Sequence, residues 1–106
     1  MVVTITKQNA EQEISKSTLP VVIKVHATWC GPCQQMAPIY EELSKELAGK
    51  YKFAQLNVDD ARELSIQYGV TSIPTFIFIK NNEVVGKEVG YMGKEELKAV
   101  IEGHLK

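Results

Sequence analysis

Cysteine is scarce in this sequence. There are only two, Cys30 and Cys33, and that number closes several routes at once. A single pair cannot knit the multi-bridge framework of a small secreted domain. Nor can it complete a four-thiolate zinc site, and the only histidines, His26 and His104, lie far from ligand spacing. An excess of one charge is missing too. Twelve basic residues stand against thirteen acidic ones, scattered along the chain for a net charge of -1. Nothing in that balance addresses a polyanion such as a nucleic acid. Long hydrophobic runs are absent, since stretches such as 21–23 and 74–79 fall far short of a membrane span. The opening MVVTITKQNAEQ lacks the basic start, apolar core and cleavage site of a secretory leader. The expectation is a mature cytoplasmic chain with no membrane contact. Repeats and low-complexity tracts are absent as well, and 106 residues suit one domain spanning 1–106 with one core.

What is present reads as alternating strands and helices. VVTIT (2–6) and PVVIKVH (20–26) are rich in β-branched residues, and the second lacks clean alternation, as a strand covered on both faces does. Residues 8–17 give a weak helical pattern through Ala10 and Ile14. From Gly31 or Pro32 to Ala48, the residues Met36, Ile39, Tyr40, Leu43 and Leu47 recur at helical spacing, and Gly49 is a stop signal. Pro38 lies inside that helix and is expected to kink it. YKFAQLNV (51–58) alternates as a strand. Asp59 and Asp60 are candidates to cap the next helix, which carries Ala61, Leu64 and Tyr68 and ends at Gly69. TFIFIK and EVVGKEV flank Asn81-Asn82 and predict a hairpin. Leu97, Val100, Ile101 and Leu105 mark a last amphipathic helix, with Glu95 and Glu96 in its first turn. Phe53, Phe76 and Phe78 read as core, and His104 as exposed helix surface. The order β-α-β-α-β-α-β-β-α predicts an α/β fold, with a central mixed five-stranded sheet flanked by four helices.

The cysteines sit where a strand gives way to a helix. The first N–H groups of a helix lack internal partners and its dipole is positive there, so a thiolate at Cys30 is stabilised. Cys33 follows by one turn, and residues at that spacing have Cβ atoms roughly 5–6 Å apart, close to bridging distance. One turn thus offers a nucleophile and a resolving thiol for dithiol–disulfide exchange. Pro32 suits a first helical turn, where its missing N–H costs nothing. Other readings stay open: half of a metal site shared between two chains, or two small buried hydrophobes without chemistry. The setting beside Trp29 and Gly31 favours exposed cysteines over buried ones.

WCGPC (29–33) resembles the active-site motif of the thioredoxin family. APIYEEL (37–43), NVDD (57–60), YGVTSIPT (68–75) and VGYMGKEEL (89–97) resemble further segments of that family, in the same order and over nearly the whole chain. The resemblance implies a thioredoxin fold and a protein-disulfide reductase in which Cys30 attacks and Cys33 resolves. It implies a cis Pro74 facing the cysteines, with Trp29, Ile73 and Gly90 lining the same substrate groove. It also implies protein disulfides as substrates, no bound cofactor, and electrons from NADPH through a flavoprotein thioredoxin reductase. The chain is expected to act as a monomer.

One position departs from that pattern. The family usually carries a buried aspartate six residues ahead of the first cysteine, paired with a lysine on the neighbouring strand; here those places hold Lys24 and Gln55. A period of two puts Val22, Lys24 and His26 on one strand face. Lys24 has three readings: snorkelling to solvent at a sheet edge, buried and neutral, or charged and favouring thiolates. His26 either fills the space of an aromatic ring or tunes a cysteine. Lys24, His26, Gly31 and Pro32 are therefore candidate modulators of the pair. A rival of another class, a binding or chaperone module, draws its weight from the lost acid–base pair.

Overall fold

The computed structural model describes residues 2–106. Its strands are β1 (Val2–Thr4), β2 (Val21–His26), β3 (Lys52–Asn57), β4 (Thr75–Lys80) and β5 (Glu83–Val89). Its α-helices are α1 (Gly31–Glu46), α2 (Arg62–Gln67) and α3 (Lys94–Leu105), and a single π-helical turn, Glu11–Ser15, follows β1. The five strands form one mixed sheet in the order β1-β3-β2-β4-β5. β3 runs parallel to both β1 and β2, whereas β4 is antiparallel to both β2 and β5. The α/β architecture expected from the alternating pattern is the one observed.

β2 lies at the centre, and five of its six residues are buried. Its lack of alternation follows from cover on both faces. Toward one face, Val22, Phe53, Phe76 and Phe78 pack against Met36, Tyr40 and Leu43 of α1 and Leu97 and Ile101 of α3. Toward the other, Val21, Ile23, Val25, Ile77 and Ile79 pack against Ile14 of the π turn, with Leu64 and Tyr68 at the border. Fully burying an aliphatic or aromatic side chain of this kind is worth about 1.5–3 kcal/mol, so these two layers supply most of the drive to fold. No helix among the described residues is long and apolar enough to cross a membrane.

The turn chemistry follows the sequence closely. Asn81 and Asn82 both take positive φ, 53° and 63°, as a two-residue hairpin turn of the primed type requires. Gly49 and Gly69 close their helices with φ of 85° and 72°.

Three expectations need correction. The helix expected over 8–17 is only the short π turn, because its pattern offers one buried anchor, Ile14. α2 starts after Ala61 with no side-chain cap. Asp59 and Asp60 therefore do not cap it, and the Asp59 carboxylate is engaged elsewhere, by Trp29. His104 is not simply exposed surface. Its ring stacks on Phe78 with centroids 4.5 Å apart, and its Nε2 lies 3.1 Å from Glu88 Oε2. Gly86 makes this possible, since a Cβ there would collide with the imidazole.

Candidate active site

β2 delivers the chain into the loop 27–29, and α1 begins at once. Cys30 is the N-cap of α1, extended at φ −92° and ψ 112°, and its Sγ accepts a hydrogen bond from Cys33 N at 3.2 Å. Pro32 occupies the first turn. A disulfide joins Cys30 to Cys33, with Cα atoms 5.2 Å apart. The helical spacing alone places the two residues within bridging range.

The bridge has an outer and an inner side. On the outer side Trp29 is 68% exposed, and its indole Nε1 donates to Asp59 Oδ2 at 2.9 Å. The Ile73–Pro74 peptide is cis, as the resemblance implied. Gly90 donates its N–H to the Pro74 carbonyl at 2.9 Å, tying the end of β5 to the start of β4. Gly90 holds a φ of 106°, which side-chain-bearing residues rarely adopt. Ile73 and Val58 pack against the buried cluster of Ala27, Cys30 and Cys33. That packing corrects one expectation. Trp29 and Gly31 are exposed, but Cys30 is only 7% exposed and Cys33 only 3%, because this apolar collar covers both sulfurs.

On the inner side Cys33 shares a pocket of about 220 Å³ with Lys24, His26, Gln34 and Gln55. The β2–β3 register sets Lys24 opposite Gln55, and the β2–β4 register sets it opposite Phe76. Lys24 is only 3% exposed and lies on a central strand, so it does not snorkel out at a sheet edge. Its ammonium lies 5.0 Å from the Tyr40 ring centroid, a cation–π approach. Among the described residues it has no hydrogen-bond or ion-pair partner. Yet none of the side-chain nitrogens and oxygens described is both fully enclosed and without a partner. Lys24 Nζ therefore reaches the pocket, while its methylene stem is sealed in.

Burial pushes the Lys24 pKa down, partly opposed by the Glu41 carboxylate. Burial lowers His26 as well, with the Lys24 charge adding to the effect and Asp60 opposing it. Beneath Lys24, the Tyr40 hydroxyl lies 2.8 Å from the Val22 carbonyl and 2.6 Å from the Ala54 carbonyl, and burial pushes its pKa well up. No group of three or more His, Cys, Asp or Glu side chains among the described residues is arranged to hold a metal ion.

Two contacts escaped the sequence reading. The bond from Trp29 to Asp59 spans thirty residues, and no local pattern announces it. The Gln34 side chain donates to the Thr28 carbonyl, bracing the loop before Cys30. The only sequence signal for Asp59 was its place in NVDD, which pointed to a cap instead.

The model of the thioredoxin family matches residues 1–103 of the chain. The chain belongs to the thioredoxin family. It is similar to thioredoxin of Haemophilus influenzae, 42% identical over 95 residues that cover 90% of this chain and 89% of that one. Thioredoxins of Bacillus subtilis and Pseudomonas aeruginosa are 39% and 34% identical, each over 104 residues. These matches cover 98% of this chain, and 98% and 96% of the relatives. The protein is accordingly a thiol–disulfide oxidoreductase, the family being a standing example of exchange through a Cys-x-x-Cys pair. Members need no prosthetic group for this chemistry.

Proposed function

We propose that Cys30 is the attacking thiolate and Cys33 the resolving thiol of a protein-disulfide reductase. The observation that carries this reading is the position of Cys30. It caps α1, and its sulfur already accepts the Cys33 N–H. A donor and a helix dipole aimed at one sulfur favour its thiolate form. In the reduced protein Cys30 Sγ attacks a substrate disulfide, one substrate sulfur leaves as thiolate, and a mixed disulfide forms. Cys33 Sγ then attacks Cys30 Sγ and releases the second substrate sulfur. Two electrons pass from the dithiol to the substrate, and the Cys30–Cys33 bridge is restored.

Trp29, Ile73, Pro74 and Gly90 form the substrate groove in this reading. An apolar rim beside backbone held by the Gly90–Pro74 bond suits extended segments of varied sequence. Gly31 and Pro32 shape the turn that holds the sulfurs, and Lys24 and His26 modulate the pair. The protein works as a single-domain cytoplasmic monomer in electron transport and redox homeostasis, recharged from NADPH by a flavoprotein thioredoxin reductase. The test is reduction of insulin, driven by dithiothreitol and separately by NADPH with a thioredoxin reductase. Turnover is expected in both. With Cys33→Ser, a stable mixed disulfide through Cys30 should accumulate. Background rates in both assays, with Cys30 open to alkylation, overturn the assignment.

A further inference from the structure

We propose that Lys24 is the counter-cation of the Cys33 thiolate, so that this chain stores part of its redox poise in an ion pair that only the reduced state contains. In the oxidised structure the Lys24 amine shares its pocket with no carboxylate. The residue is 3% exposed and has no hydrogen-bond or ion-pair partner among the described residues. Its ammonium nitrogen lies 5.0 Å from the centroid of the Tyr40 ring. The groups around it offer nothing better. β3 presents the neutral Gln55 and β4 presents Phe76. His26, on its own strand, can only add like charge. From α1, Glu41 acts on it through space while remaining exposed, and Asp60 acts on His26.

Cys33 is the one group lining the pocket that gains a full negative charge during the catalytic cycle. Cys33 and Ala37, four residues apart on α1, both line the pocket, and Glu41 follows at the same spacing outside it. Lys24 lines the same pocket. When the bridge opens, the Cys33 sulfur becomes the first anion inside the pocket that Lys24 can meet.

The consequence is chemical as well as electrostatic. Reduction of the bridge adds two electrons and leaves two sulfur anions to be protonated or paired. With the Lys24 amine beside it, the two groups share a single proton held on Nζ, and Cys33 Sγ stays unprotonated, giving an ammonium–thiolate pair. Each partner shifts the other: Cys33 titrates lower, and Lys24 titrates higher in the reduced protein than in the oxidised one. A stabilised reduced form makes the disulfide a stronger oxidant. The resolving thiol is also held in its nucleophilic form through the second step. Lys24 acts through Cys33 rather than on substrate, so it is a positioning residue. The proposal rests on the assignment of Cys33 as the resolving thiol, which trapping of the mixed disulfide in Cys33→Ser tests separately.

The test measures the equilibrium of the Cys30–Cys33 bridge with glutathione, and the thiol titration of the reduced protein, in wild type, Lys24→Met and Lys24→Gln. Circular dichroism confirms that the variants are folded. Removing the ammonium should shift the equilibrium toward the disulfide about tenfold, close to 30 mV for a two-electron couple. The Cys33 titration should rise with it. In the wild type alone, NMR titration of the lysine side chains should show Lys24 ionising at higher pH after reduction. An equilibrium within twofold of wild type in both variants, or a Lys24 titration indifferent to the redox state, overturns the pairing even if insulin is reduced normally.

Discussion

The disulfide looks out on one environment and in on another. Outside, Trp29, Ile73, Pro74 and Gly90 make an apolar, partly exposed rim that carries two hydrogen bonds: indole to Asp59, and Gly90 N–H to the Pro74 carbonyl. Inside, Lys24, His26 and Gln55 make a small polar pocket whose charge is left without a partner. The outer side follows the family pattern and the inner side departs from it. In the proposed groove, recognition rests on backbone shape at the rim. In the proposed ion pair, redox poise rests on the sign and burial of one side chain.

Four substitutions probe that contrast, taken from the largest expected effect to the smallest. Cys30→Ser should reduce insulin turnover to background, because Cys33 sits deeper, at 3% exposure, and cannot replace it from the outer side. Persistent turnover in a multiple-cycle assay would falsify the outward role of Cys30.

Tyr40→Phe acts on the buried ring that Lys24 Nζ approaches. It strips a hydroxyl from the Val22 and Ala54 carbonyls of two central strands. Leaving buried acceptors short of a donor should cost about 1–3 kcal/mol in urea unfolding. A loss below the error of the measurement would show that water takes over the hydroxyl's place.

Lys24→Met should stabilise the oxidised protein by about 1–2 kcal/mol at neutral pH, the low end of what removing a buried ion yields, since Nζ reaches the pocket. The effect carries a pH signature. Burial holds the folded-state pKa of Lys24 below its ordinary value of 10.5, so between those two values the unfolded chain binds more protons there. Wild-type stability rises with pH across that window, and the advantage of Lys24→Met shrinks toward zero by its upper end. An advantage that persists unchanged above pH 10.5 would assign the gain to packing instead of charge.

Trp29→Phe is the mildest. It removes the exposed bond to Asp59 at the rim and should cost no more than about 1 kcal/mol of stability. Insulin turnover should fall further than reduction of a small disulfide does, if the indole shapes the groove. Equal effects on both would remove it from substrate recognition.

Much of this is legible in the amino-acid sequence. The apolar spacing from Met36 to Leu47 fixed the buried side of α1, and Asn81-Asn82 announced the hairpin, because both signals are local. The cysteine pair was legible for the same reason: bridging distance is built into one helical turn. The missed features are the ones that join distant segments. Asp59 as the partner of Trp29, and His104 laid over Gly86 and Phe78, depend on tertiary approach that neighbouring residues do not encode. The burial of Lys24 was underdetermined for a related reason. Its three readings turned on whether β2 lay at an edge or in the middle of the sheet, and strand order is set by crossovers that the strand itself does not record.

The central position of β2 also governs how the site behaves in time. Residues 21–25 pair with β3 on one side and β4 on the other, so their amides should exchange with solvent only when the whole domain opens. The cysteine loop is thus suspended from the slowest-exchanging part of the molecule, while its reactive sulfur caps the helix that follows. Repeated cycles of bond making and breaking at Cys30 can proceed against an anchor that does not breathe. A thiol carrier can thereby turn over many partners without exposing its own core to them.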